Sequence, residues 1–124
     1  MSNTRKRKEE LRSLARSIRG EMVIEDWEEF SSLIKQHLIS SEIFDEARQI
    51  HCYVSMNDRK EVDTSEIIED ILLRDKVLSL PVTNFSDLSM KHFEIESRKD
   101  LKKNKWGIRE PVSRGKEHKA TDFD

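Results

Sequence analysis

The stretch from residue 50 to residue 82, IHCYVSMNDRKEVDTSEIIEDILLRDKVLSLPV, decides the fold. It opens on Ile50, Cys52, Tyr53 and Val54, an apolar run rich in β-branched and aromatic types, bounded by the polar cluster 57–60. That pattern predicts a buried strand over 50–55. Asp63 and Glu66 have the capping-box spacing and open a helix whose apolar stripe is Ile67, Ile68, Ile71 and Leu72. Residues 77–82 form a second short apolar run, ended or edged by Pro81. Strand, capped helix and strand in this order make a βαβ unit over about 49–82, and such units cross over right-handed in nearly every case. The fold class predicted is α/β with a mainly parallel sheet.

Toward the N-terminus, Leu11, Leu14, Ala15 and Ile18 recur at i, i+3, i+4, i+7 and predict a basic amphipathic helix over about 5–19. Trp27, Phe30, Leu33, Ile34 and Leu38 predict a second helix, after which Ser40 and Ser41 offer a stop and a new N-cap for a short turn through Phe44 and Ala47. Toward the C-terminus, Phe93 and Ile95 alternate with charged positions and predict a third strand over 90–95. A Lys-rich segment follows Leu101, then Trp106, Gly107, Ile108 and Pro111. Residues 112–124 hold almost nothing apolar except Phe123 and read as disordered or truncated.

Composition bounds the rest. The chain has 124 residues, 35% hydrophobic and 39% charged, which fits one domain with a modest core. Cys52 stands alone, so neither an internal disulfide nor a cysteine metal cluster can form. There is no apolar run long enough for a membrane span and no apolar signal segment behind the basic N-terminus, so the expected location is the cytoplasm. Three glycines, Gly20, Gly107 and Gly115, leave no glycine-rich loop to cradle a phosphate. Residues 1–20 carry seven Lys/Arg against two Glu, a net of +5; the remainder carries 16 against 23, a net of −7. A basic segment precedes an acidic body.

On the first helix Arg5, Lys8, Arg12, Arg16 and Arg19 fall within an arc of roughly 80° beside the apolar stripe. A row of cations repels itself unless a polyanion neutralises it, with nucleoside triphosphate, nucleic acid and an acidic protein surface as candidates; counter-charges from the acidic body are the plainer alternative. The loop leaving the first strand lies at the carboxyl end of the sheet, where open α/β folds bind ligands. It carries Met56, Asp58, Glu61 and Asp63. Capping explains Asp63; Glu61 has no such explanation and is a candidate for bonding a polar ligand edge. His37, His51, His92 and His118 lack metal-ligand spacing. Trp106 beside Gly107 reads as a packed aromatic or as a stacking platform for a flat heterocycle.

Taken in order, these pieces resemble the 5-formyltetrahydrofolate cyclo-ligase (methenyltetrahydrofolate synthetase) family. The resemblance runs from Lys8 to Pro111: Lys8, Leu11 and Arg12 as K-x-x-L-R; Tyr53 to Met56 closing a strand; Glu61 to Thr64 with Ile67 and Ile68; Lys76 with Leu80 and Pro81; Met90; and Trp106, Gly107, Ile108, Glu110 and Pro111. It implies a three-layer, Rossmann-like α/β/α fold. The implied activity is ATP-dependent conversion of 5-formyltetrahydrofolate to 5,10-methenyltetrahydrofolate through a phosphorylated formyl oxygen, with Mg²⁺ on the phosphates. By the same resemblance Lys8 and Arg12 contact ATP, and Val54 and Glu61 contact the folate, with Tyr53, Met56 and Trp106 as pocket walls. The catalytic residues stay unassigned.

The family's glycine-rich phosphate segment is absent from these residues, and Arg59 and Lys60 lengthen the loop before Glu61 relative to some members. Residues 1–111 are therefore expected to be the N-terminal part of a cyclo-ligase-like domain, with 112–124 a disordered or truncated tail. Such a chain is expected to be inactive alone, marginally stable and prone to associate. The alternative is a non-catalytic interaction module whose basic helix binds an acidic partner or nucleic acid.

Overall fold

The computed structural model describes residues 2–112 and 115–124. Helices α1 (Asn3–Glu21), α2 (Ile24–Ile39) and α3 (Glu42–Glu46) precede strand β1 (Gln49–His51), helix α4 (Ser65–Leu73) and strands β2 (Val77–Thr83) and β3 (Met90–Ile95). Strands β4 (Leu101–Lys103), β5 (Arg109–Pro111) and β6 (Glu117–His118) follow. The main sheet has the order β1-β2-β3-β6, and β4 and β5 form a separate hairpin. The α/β class and the crossover unit stand as read: β1 and β2 are parallel and α4 joins them. Among the described residues parallel pairing is confined to that junction, so the sheet is mixed rather than mainly parallel. β2 and β3 are antiparallel because a short reversal over 84–89 returns the chain beside itself, and β6 adds antiparallel to β3.

The core forms where α4 covers one sheet face. Ile67, Ile68 and Ile71 of α4 meet Leu78 and Leu80 of β2, Ile95 of β3 and Phe44 of α3, all buried. Leu78 lies opposite Ile95, and Leu80 opposite Phe93, as same-face neighbours in the antiparallel register. The Ser41 hydroxyl caps α3 by accepting from the Phe44 N–H at 3.2 Å, as the serine pair predicts. Lys76 closes the other end of α3, donating to the carbonyls of Asp45 and Ala47.

Several expectations are corrected. The strand expected over 50–55 is only three residues long, and Pro81 explains why. The Val77 N–H donates to Arg48 O and the Cys52 N–H to Ser79 O. The next donor toward β1 in this register is residue 81, and proline has no N–H. Pro81 sits inside β2 rather than ending it, opposite His92, because only its β1-facing side is affected. The capping box also fails to form. Helix α4 starts one residue later, at Ser65, whose N–H donates to Asp63 Oδ1 at 2.9 Å, while Glu66 pairs with Lys35 at 3.4 Å. The Asp63 N–H that Glu66 would have taken goes to Ser31 Oγ.

The apolar stripes of α1 and α2 form, but they are largely uncovered among the described residues: Leu11, Leu14, Ile18, Phe30, Leu33 and Ile34 are exposed. The tail expected to lack structure forms β6 and a 3₁₀ turn, Ala120–Asp122, in its described part; Ser113 and Arg114 lie outside the described residues. From β6 the chain returns to β1. The Phe123 ring packs 5.3 Å from His51 and 5.6 Å from His92, and Asp124 Oδ2 accepts from the Arg48 and Gln49 N–H groups. Among the described residues no helix is long and apolar enough to cross a membrane.

Candidate functional site

The loop from β1 to α4 is the feature around which a site is built. Beyond His51 the chain runs out to Met56, turns through the 3₁₀ segment Asn57–Arg59, and returns with Lys60 in the left-handed region at φ 54°. Reciprocal bonds staple its two arms: Ser55 N–H to Thr64 Oγ1 at 3.0 Å, and Thr64 N–H to Ser55 Oγ at 3.1 Å. The Thr64 hydroxyl then donates to Tyr53 O at 2.9 Å. Across the loop tip the Met56 N–H donates to Glu61 Oε1 at 2.7 Å. Two contacts moor this loop to the helices. The Trp27 indole donates to Glu61 O at 2.7 Å, and Lys60 Nζ donates to the carbonyls of Gly20 and Met22 at the end of α1. A cation on those carbonyls also suits the negative end of the helix dipole.

The second wall is the turn of the β4–β5 hairpin. Asn104 Oδ1 accepts from the Trp106 and Ile108 N–H groups at 2.8 and 3.1 Å, and Gly107 adopts φ +79°, a region costly for other residues. Trp106 stands edge-on to Phe85 with centroids 4.3 Å apart, and Lys105 Nζ lies 4.4 Å from the Phe85 centroid on its ring face. Met56 and Trp106 thereby line one cavity of about 410 Å³, with Arg59, Lys103 and Arg109 at its margins. A second cavity, of about 550 Å³, is lined by Arg16, Arg19, Gly20, Arg59 and Glu61. Arg59 lines both, and the Met56–Glu61 bond links their walls across the loop.

Of the residues singled out in the sequence, the fold brings Met56 and Trp106 to the first cavity and Glu61 to the second. Val54 is half-buried and packs against the core instead. Tyr53 lines a different, apolar groove of about 520 Å³ beside β1, where its hydroxyl donates to Val62 O at 3.2 Å. Burial, followed by the nearby Glu61 carboxylate, raises the Tyr53 pKa, so the phenol stays a donor. Lys8 and Arg12 are exposed on α1. Along the helix axis they stand about 16 Å and about 10 Å from Arg19, at 1.5 Å per residue. Burial pushes the Cys52 thiol up to about 11, which makes it an inert neighbour rather than a nucleophile.

Asp63 is held below the ordinary carboxylate range. Burial alone would raise it, but hydrogen bonds from the Ser65 hydroxyl and N–H, Asn57 and Ser55 outweigh that effect. The sequence reading passed over Arg59, Lys103, Arg109 and Phe85. Their only signal was the cationic sequence flanking Trp106 and Gly107 and the loop expansion at Arg59.

Between them the two cavities offer an indole, a thioether, a carboxylate with acceptor capacity beyond its one bond to Met56, and several cations. That set matches a flat, hydrogen-bonding ring with anionic substituents. Among the described residues, no group of three or more His, Cys, Asp or Glu converges as a metal site.

Comparison with known proteins agrees with this architecture. The NMR structure of Aquifex aeolicus 5,10-methenyltetrahydrofolate synthetase is similar, with a TM-score of 0.75 and 24% sequence identity, over 94% of this chain and 57% of that one. At that identity the likeness speaks for the fold, and this chain spans less than two thirds of that protein's length. The sequence match is to 5-formyltetrahydrofolate cyclo-ligases and covers residues 4–123, nearly the whole chain. This chain therefore belongs to the 5-formyltetrahydrofolate cyclo-ligase family.

Proposed function

We propose that this chain supplies the folate-binding side of a cyclo-ligase that converts 5-formyltetrahydrofolate to 5,10-methenyltetrahydrofolate. The observation that carries the reading is the convergence of Met56 and Trp106 on one cavity, from two separate loops, with Glu61 on the adjoining cavity and bonded to the Met56 N–H. In this reading Trp106 and Met56 flank the flat pterin, and the Glu61 carboxylate accepts from its N–H edge. The loop staples hold that carboxylate in place before the ligand arrives, which lowers the ordering entropy of binding. Val54 and Tyr53, core-facing and groove-facing, act by shaping the base of the loop.

ATP, when bound, supplies the phosphoryl group that turns the formyl oxygen into a leaving group. Lys8 and Arg12 would hold its phosphates: they are exposed cations on one face of α1, and neither makes an ion pair with another described residue. The described residues do not gather a ligand set for Mg²⁺. With no glycine-rich cradle to stabilise phosphoryl transfer, the chain alone is expected not to turn over.

The test titrates 5-formyltetrahydrofolate into the chain by calorimetry, and separately follows methenyl absorbance with ATP and Mg²⁺. Saturable binding that is lost in Met56→Ala and Trp106→Leu is expected. Absence of any folate binding overturns the reading, and robust turnover overturns the expectation of inactivity.

A further inference from the structure

The cations of α1 divide into paired and unpaired ones. Arg5 and Arg7 are paired with Glu9 and Glu10 at 3.5 Å, and elsewhere Arg74 pairs with Asp70 and Arg98 with Glu69. Arg16, Arg19 and Arg59 make no ion pair with another described residue, yet they come from two elements to line one cavity of about 550 Å³. Arg19 Nε is shut off from water with no acceptor in reach. With no internal acceptor, the guanidinium is left to find a partner on the side from which it lines the cavity.

The cluster is also held in place. Lys60, adjacent to Arg59, donates to the carbonyls of Gly20 and Met22, so the end of α1 and the loop cannot separate without losing those bonds. Glu61 is the single carboxylate on the cavity wall, and its Oε1 is engaged by the Met56 N–H, which leaves positive charge in excess.

We propose that Arg19 and Arg59, with Arg16 beside them, form an oxyanion-binding site that takes a carboxylate or phosphate group. The forked, planar guanidinium donates two parallel bonds to either group, which a lysine cannot do. The proposal deepens the folate reading and rests on it only for which ligand carries the anion. The Tyr53 phenol nearby, kept neutral by burial, adds no competing charge.

The experiment records the Arg19 Nε–Hε resonance of the ¹⁵N-labelled chain during titration with glutarate, and separately with pyrophosphate, at constant ionic strength. A saturable shift with either anion is expected, with affinity falling at least tenfold in Arg59→Gln and, by calorimetry, in Arg19→Gln, which lacks the reporter group, and unchanged in Arg98→Gln, which lies outside the cavity. A response to glutarate alone identifies a carboxylate site, and a response to pyrophosphate alone a phosphate site. No saturable shift, or an affinity equal in all variants, overturns the proposal. Folate binding without an anion response overturns this proposal alone; an anion response without folate binding overturns the folate reading alone.

Discussion

Glu61 acts through two groups that mutation can separate. Its carboxylate accepts the Met56 N–H and its carbonyl accepts the Trp27 indole N–H, each at 2.7 Å. The carbonyl bond survives any side-chain change, so Glu61→Ala leaves the mooring to α2 intact and strips only the Met56 bond and the acceptor offered to ligand. A hydrogen bond to a charged group contributes about 1.5–3 kcal/mol. Binding of 5-formyltetrahydrofolate to Glu61→Ala is therefore expected to weaken at least tenfold by calorimetry, with faster exchange of the Met56 amide; Glu61→Gln, which keeps one acceptor, loses less. Unchanged affinity in the alanine variant would remove Glu61 from the site. The sequence isolated this residue because nothing local explained it, while Asp63, two positions on, had a helix start to serve.

The elements divide by whether their apolar face finds a partner. Helix α4 places Ile71 at 0% exposure against β2, whereas α1 leaves Leu14 57% exposed. Truncating a fully buried isoleucine costs about 2–5 kcal/mol, and exposed substitutions typically stay within about 0.5 kcal/mol. Ile71→Ala should lower the urea midpoint sharply while Leu14→Gln barely moves it. Equal effects would mean that α1 is packed in solution. The hairpin β4–β5 shows the opposite balance: it has little apolar content, and its turn is set by Asn104 and the positive φ of Gly107. Nearby, Gly115 passes so close to the Glu94 carbonyl that a Cβ would sit 2.9 Å from it, which ties β6 to β3 at a position no side chain can occupy.

At the scale of the whole molecule, the C-terminal segment and the sheet are joined through histidines. His51 Nε2 and His92 Nδ1 are 3.0 Å apart, Phe123 packs on both rings, and buried His118 bonds Glu94 and lies 3.4 Å from Asp122. Burial, reinforced by the charge of His92, lowers the His51 pKa from 6.5. The folded state thus favours neutral His51, and below the unfolded pKa the unfolded chain binds more protons. Stability from this group is fully present above pH 6.5 and declines as pH falls from there toward the folded value. Denaturation measured between about pH 7.5 and pH 5.5 should show that slope, and His51→Gln should flatten it. A slope unaltered by the substitution would place its origin elsewhere.

The sequence by itself determined the elements whose signals are local. The period of apolar residues set α1, α2, α4 and β3, Ser41 set the cap of α3, and the order strand, helix, strand set the parallel pair β1 and β2. It also supplied Pro81, whose missing N–H shortens β1, although the consequence required knowing which side of β2 faces which neighbour. Tertiary structure alone decided where distant residues meet. Arg59 and Trp106 share a cleft because one hairpin turn folds against one loop, and Phe123 reaches His51 because the chain returns from β6 to β1. Val54 turns to the core and Tyr53 to a separate groove, although both lie within three positions of Met56 in sequence. Periodicity encodes which face of an element is apolar, but long-range packing selects what that face meets.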